Sequence, residues 1–540
     1  MLESLANTPL GSFAHWVSGG RLASYPEEQA GFYLPPSPPP SQLQSQPPIC
    51  TPSSGSEKEC SEDTNEADIE SGPPSVHVVD WYGDADPANP LHWSGFQKFR
   101  IFFTINYANS AIYLSSSVFA ASQAAFETAF HTTPMVTGLG ISLFVLGYGV
   151  GPLFISPLTD MARIGRTPPY LTATFIFLIL SIPTATATSV HSFMILRFFQ
   201  GFFGSPVMTA GGASLSDIAS DSIKPLALYT WACSGFAAAS IAPIVSGFAV
   251  PVLGWRWPLW EVVIVNAPTL LFLLLLPETS PRKILYLRAQ RLRKCYPGTN
   301  YHSKAELEHR TSVQLLLWRS LIVPWQMHAL DPSILFTSIY TGFVYGIYYS
   351  FFEMFPIVYQ GIYGFNLGEC GLVYLAIVVG VVLAGIPYCS YVYYYVVPRD
   401  LAGQVQTPPE DRLLPAVFAS LLVPTGLFIF GWTARSEVHW IVPTIGAGIT
   451  SAGMVVIIQC VFVYISLSYP QYVASVFAGN GLLRSLIAFA ALLWSRPLTD
   501  ALGVARGSSL LGGLCVGGVM GLIILYKYGA TLRAHSKFAV

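Results

Sequence analysis

At 540 residues, 52% hydrophobic, 10% charged and mean hydropathy +0.51, the chain holds too little charge to cover a water-soluble globule of its size. Lipid is its expected main solvent. The net charge of −2 and the scatter of basic residues along loops exclude a nucleic-acid surface, and the dispersed cysteines suggest neither a metal cluster nor a disulfide scaffold.

Residues 1–95 differ in kind. Pro35–Pro40, Pro47–Pro48 and the Ser/Glu/Asp-rich stretch Ser53–Ser71 lack apolar periodicity, which predicts a disordered cytoplasmic tail. A proline-motif ligand is the alternative to a passive tail. No apolar stretch opens the chain, so the first span is expected to direct insertion itself. A bilayer core needs about 20 apolar residues per helix. On that criterion spans fall near 101–121, 136–158, 169–188, 192–212, 225–250 and 257–277. After a polar gap, more follow near 334–359, 371–396, 413–432, 439–466, 472–494 and 509–528. The expected fold is an all-α membrane protein of twelve transmembrane helices in two six-helix halves: residues 96–278 and 332–530, joined by a cytoplasmic loop at 279–331 and closed by a tail at 531–540.

Orientation follows from lysine and arginine, which are retained on the cytoplasmic side. The central loop alone carries Arg282, Lys283, Arg288, Arg291, Arg293, Lys294, Lys304, Arg310 and Arg319, and the alternating loops hold nineteen basic residues on one side against four on the other. Both termini are then cytoplasmic, and Trp255, Trp257, Trp260, Trp432, Trp440 and Trp494 fall at the outer interface, where an amphipathic ring is well placed. A Walker loop is absent from all 540 residues, so an ion gradient is the expected energy source and no cofactor is expected.

Charges inside a bilayer cost at least about 2.5–3.5 kcal/mol on insertion scales and so mark candidate function. Glu353 shares a face of span seven with Tyr345 and Tyr349 and is a candidate proton carrier; Glu261 in span six is a second, and simple hydration near the outer end is the plainer reading of both. Arg197 in span four has Gly201 and Gly204 on its face, leaving room for a helix or substrate, or it snorkels to the outer headgroups. Arg484, deeper in span eleven with Asn480 one turn earlier, either locks its helix to neighbours or serves substrate and gating. Asn106, Asn109, Asn266 and Gln459 bind substrate or act as interhelical glue, and Tyr113, Phe198, Phe202, Tyr345, Tyr348, Tyr349 and Phe352 line an adaptable apolar site or face lipid.

The turn from Gly151 to Tyr170 packs Asp160, Arg163, Gly165 and Arg166 into a loop too short to fold alone, and it resembles the signature of the major facilitator superfamily. Its wording is similar to that of the fungal twelve-span drug:proton antiporters. Asp86–Pro90, Arg197–Gly201, Trp255–Trp257, Pro277–Ser280, Phe352–Pro356 and Leu532–Ala539 resemble that family in the expected order, and Ser468–Ser485 is most similar to exporters conferring azole, benzimidazole and cycloheximide resistance. The resemblance implies proton coupling at Arg197, a cytoplasmic gate at Gly151, Asp160, Arg163, Gly165 and Arg166, and export of small hydrophobic compounds by a plasma-membrane protein, with a monomer expected. In one place the chain departs from the family: the antiporter motif of span five keeps only Pro243 and Gly247, among Ala238, Ala239, Ala242 and Ser246. Packing is preserved by such small residues, whereas direction of transport is left open. Alternatives are a dedicated exporter of an endogenous secondary metabolite, an uptake symporter and a membrane sensor; no nucleophile or His/Cys constellation suggests an enzyme.

Overall fold

Helix starts in this chain are written in Ser, Thr, Asp, Asn and Pro. In the computed structural model, which describes residues 7–18, 25–28, 77–83, 86–220, 223–297, 299–307, 313–401, 408–470 and 472–538, a short helix α1 (Pro9–Val17) and a strand β1 (His77–Val79) precede the first long helix, α2 (Gly95–Ser117). The Ser94 hydroxyl caps α2 by accepting from the Gln97 amide. A turn and the short α3 (Gln123–Phe130) lead to α4 (Pro134–Asp160), which starts with Thr133 as cap and proline at its first position. Next come α5 (Thr167–Ala185), α6 (Val190–Ile218), α7 (Lys224–Leu253) and α8 (Trp257–Leu274). Gly254, at φ 84°, ends α7 in a conformation that a side chain would strain.

The basic segment that follows forms α9 (Pro281–Cys295), strand β2 (Tyr301–Ser303) and α10 (Val313–Leu330). Asp331 then accepts from the Ser333 and Ile334 amides to open α11 (Pro332–Phe355). An Asn366/Glu369 capping box begins α12 (Leu367–Val373), continued by α13 (Leu375–Tyr391). Helices α14 (Leu414–Thr433), α15 (Ile441–Ser468) and α16 (Val473–Ala534) complete the chain. Gly503, at φ 75°, breaks α16 into two helical pieces, matching the sequence reading of separate runs before and after it.

Among the described residues, eight helices are long and apolar enough to cross a membrane. The distribution of polarity agrees. Phe175, Ile182, Leu271, Val382, Leu421, Leu514 and Met520 are exposed around the bundle, while Arg197, Asn266, Asn480 and Ser240 are buried within it. Helices α2–α8 pack mainly on one another, as do α11–α16, and the two sets meet where α4 lies along α16 and α7 lies along α12 and α13. Gly147 and Gly201 set the α4–α6 approach: a Cβ on either would overlap a backbone carbonyl of the other helix, Phe198 or Phe144.

The expectation of a structureless tail to residue 95 needs correction for its described parts. Strand β1 pairs in parallel with β2 of the central segment, His77 opposite Tyr301. The buried Arg288 of α9 receives two tail carboxylates: Asp86, at 2.7 and 3.1 Å, and Glu27, at 3.2 Å. Its guanidinium lies 4.0 Å from the centre of the Tyr82 ring, and Arg291 makes a second bridge to Glu27. Burial pushes the Asp86 carboxyl up, but Arg288 and the amides of Tyr82 and Ala88 outweigh it and hold the pKa below 3.8. The proline clusters, the Ser53–Ser71 stretch and Gln471 lie outside the described residues.

Candidate functional site

At the end of the bundle that bears α9, Gly165 adopts φ 77°, a turn that a side chain would strain, and the following amides point at one carboxylate. Glu278 accepts from the backbone N–H of Arg166, at 3.1 and 3.2 Å, of Thr167, at 3.4 Å, and of Ser280, at 3.0 Å. The Arg166 guanidinium pairs with Asp217 at the end of α6, and Lys283 of α9 donates to the Arg163 carbonyl. Two of the contacts that hold this turn were not foreseen as such. Asp217 stands alone after an apolar run and carries no motif, while Glu278 was visible only as part of Pro277–Ser280. Asp160 makes no hydrogen bond or ion pair among the described residues but lies in electrostatic reach of Arg166 and Arg282. Gly151 serves packing: a Cβ there would overlap Ser205 of α6. The tail reaches this cluster too, since the Glu278 amide donates to the Asn7 carbonyl at 3.0 Å.

Midway along the bundle the two helix sets meet on tyrosines. The Tyr148 hydroxyl of α4 bonds to Tyr345 at 2.6 Å and to Tyr349 at 3.1 Å, both on α11, and Ser116 of α2 reaches Tyr349 at 3.4 Å. Tyr348 donates to the Phe236 carbonyl of α7 at 3.0 Å and lies 3.2 Å from Ser240. These three tyrosines of α11 are fully buried. Half-buried Tyr113 completes the group, its ring 6.2 Å from that of Tyr148. Arg484 of α16 lies over Tyr345 at 4.6 Å and over Phe462 at 5.5 Å.

Towards the other end, Glu353 is buried and accepts from the Gln123 amide of α3 at 2.8 Å, a bond between the two helix sets. Glu261 is buried on α8, with one carboxylate oxygen lacking a hydrogen-bond partner, and is not brought to Glu353. Arg197 neither snorkels nor joins Glu353. It is fully buried and donates to the carbonyls of Gly140 at 2.7 Å, Ser115 at 3.0 Å and Ser116 at 2.9 Å, with Gln200 at 3.4 Å and the Phe144 ring beneath.

Most of the amides expected at a substrate cavity serve helix contacts. Asn106 bonds the Phe102 carbonyl of its own helix; Asn109 bonds Trp231 and Ser234 of α7; Asn480 bonds Ser338 and Thr341 of α11. Asn266 ties α8 to Ser115 of α2, and Gln459 interacts with Tyr388. Pro243 and Gly247 face α12, since a Cβ on Gly247 would come within 2.7 Å of the Leu367 carbonyl and one on Gly371 within 2.5 Å of that of Pro243.

A bundle with an apolar exterior, polar groups buried among its helices and two helix sets that meet along a seam suits a carrier that rocks one set against the other, and residues 105–492 match the Major Facilitator Superfamily. The chain belongs to that superfamily. Over the full length of both chains it is 43% identical to the MFS-type transporter pyvG of Aspergillus violaceofuscus. It is 36% identical to the cycloheximide resistance protein of Candida maltosa, covering 90% of each chain. With fluconazole resistance protein 1 of Saccharomyces cerevisiae it shares 37% identity over 90% of this chain and 89% of that one. Among solved structures, the xylose transporter XylE of E. coli in a partially occluded inward-open conformation aligns with TM-score 0.58 and 15% identity over 80% of this chain and 98% of that one, a likeness of fold. This superfamily member is therefore a membrane transporter rather than an enzyme.

Proposed function

We propose that the chain is a proton-coupled exporter of small hydrophobic compounds, drugs and fungicides among them. It works by alternating access in the plasma membrane as a monomer of twelve spans with both termini cytoplasmic. The observation that carries this reading is its likeness, along about nine-tenths of both chains, to proteins named for cycloheximide and fluconazole resistance. The geometry supports it. In this reading residues 96–278 and 332–530 are the moving halves, and the tyrosine layer between them is the substrate site in a closed state.

Opening to the inside then requires Arg166 to leave Asp217 and the Glu278-held turn to shift, while opening to the outside parts Gln123 from Glu353. With that bond open, the Glu353 carboxyl exchanges protons with the outer medium; with it closed, the proton can leave only inward. Arg197, whose donors are all directed at carbonyls, braces α2, α4 and α6 around this movement rather than carrying the proton. A potential of 100 mV supplies about 2.3 kcal/mol per charge, and one pH unit adds about 1.4 kcal/mol. Together they sustain a gradient of several hundredfold.

The test is accumulation of labelled fluconazole in cells stripped of their own exporters, with and without a protonophore. Lowered accumulation that the protonophore restores is the expected result, and Glu353→Gln should abolish the proton dependence while keeping drug binding. Unchanged accumulation at every pH would favour a narrow endogenous cargo.

A further inference from the structure

Arg484 is half-buried in the bundle, and among the described residues no acceptor answers its charge. It makes no hydrogen bond and no ion pair among the described residues, and its Nε is buried without an acceptor. The groups around it are Tyr113, Tyr148, Tyr345, Tyr349 and Phe462. Asn480, one turn away, donates its Nδ2 to Ser338 and Thr341, and its buried Oδ1 receives no bond from Arg484. The nearest membrane carboxylate on α11, Glu353, is engaged by Gln123. Ring stacking satisfies only the faces of a guanidinium. Its N–H groups lie in the plane, a fork that matches two oxygens of one acceptor. With Nε buried and unpaired and the rest of the head half-exposed beside the seam, the charge marks a place where a partner arrives from elsewhere.

We propose that Arg484 is the recognition point for an anionic oxygen group, a carboxylate, phenolate or enolate, on an aromatic substrate, and that Tyr113, Tyr148, Tyr345 and Tyr349 seat the attached ring. This rests on the exporter reading and deepens it: beside neutral apolar cargo, the site prefers, among aromatic compounds, those that bear an anionic oxygen group. Tyr113 fits the role: it is half-buried and its hydroxyl makes no hydrogen bond among the described residues, so a ring beside it meets a free donor. The site lies on the seam between the two helix sets, since a Cβ on Gly149 of α4 would overlap Ser485, the next residue to Arg484. Substrate entry therefore has to part α4 from α16, and its negative charge is matched where the seam opens.

The experiment uses the full-length protein in lipid nanodiscs with matched probes, coumarin-3-carboxylate and coumarin-3-carboxamide, alongside a small panel of other aromatic acids and their primary amides. Binding is measured for the wild type, Arg484→Lys and Arg484→Gln, and fluconazole export is followed for the wild type in parallel. The expected result is that acids bind the wild type on the order of tenfold more tightly than their amides. Arg484→Gln should bring each pair within about twofold, and Arg484→Lys should restore part of the preference. Equal preference in wild type and Arg484→Gln, or tighter binding of the amides by wild type, overturns the assignment. Chloride replaced by gluconate separates a free inorganic anion from a substrate: Arg484-dependent stabilisation by chloride with no acid preference also overturns it. Failure of fluconazole export with the acid preference intact would sink the drug-export reading and leave Arg484 standing, so the two outcomes remain distinguishable.

Discussion

Arg197 and Arg484 are both arginines on long helices of the bundle interior, and their surroundings are opposite. Around Arg197 the backbone of α2 and α4 supplies three carbonyls, all within 3.0 Å. Around Arg484 the described residues supply the aromatic faces of Tyr345 and Phe462 and no hydrogen bond. The first environment is complete in itself and belongs to the frame, whereas the second lacks an acceptor and so is suited to a part that comes and goes. A buried charge by itself does not distinguish brace from binding site; the acceptors within reach of its N–H groups do.

The largest expected effect tests the brace. Arg197→Met removes three charge-assisted hydrogen bonds between helices, each worth about 1.5–3 kcal/mol, so the protein should be recovered poorly, with a thermal midpoint far below wild type in detergent. Arg484→Met should do the reverse. Replacing an unanswered cation by an apolar chain is neutral or stabilising, so its thermal midpoint should equal or exceed that of the wild type; a fall like that of Arg197→Met would erase the contrast between the two residues. Smaller is Tyr148→Phe, which removes two hydroxyl contacts across the seam, about 1 kcal/mol each. It should raise maleimide labelling of a cysteine placed at Ser485, above the background of native cysteines.

Smallest at neutral pH is the effect on a third arginine, Arg288, which is answered by carboxylates instead of carbonyls. Because the Asp86 pKa is depressed on folding, its contribution is present above the ordinary value of 3.8 and is lost only as pH falls through the lower folded value. Protease cleavage of the tail should therefore be flat from pH 7 to pH 5 and rise below about 4, while Asp86→Asn should raise cleavage at pH 7.

The long apolar runs were legible because a bilayer demands about 20 such residues in a row, and helices occupy those runs. Caps and breaks such as Thr133, Asp331 and Gly254 sit where their chemistry requires. The partners were not legible. Nothing in the sequence near Arg197 names the Gly140 or Ser115 carbonyl, because every residue has one, so a saturated arginine and an unsaturated one read alike. Asn106, Asn109 and Asn480 were ambiguous for the same reason. Glu27 and His77–Val79 were hidden for a different one, and Asp86 was visible as part of Asp86–Pro90 but without its partner: short folded islands in a Pro/Ser/Glu-rich stretch leave its composition unchanged, and their partners lie more than 200 residues away.

That distance has a consequence in time. A chain made from its N-terminus releases Glu27 and Asp86 long before Arg288 exists, and helices α2–α8 are made between them. The early segment stays open until the first set of helices is complete, and its closure on α9 is thus a natural signal that half of the membrane work is finished.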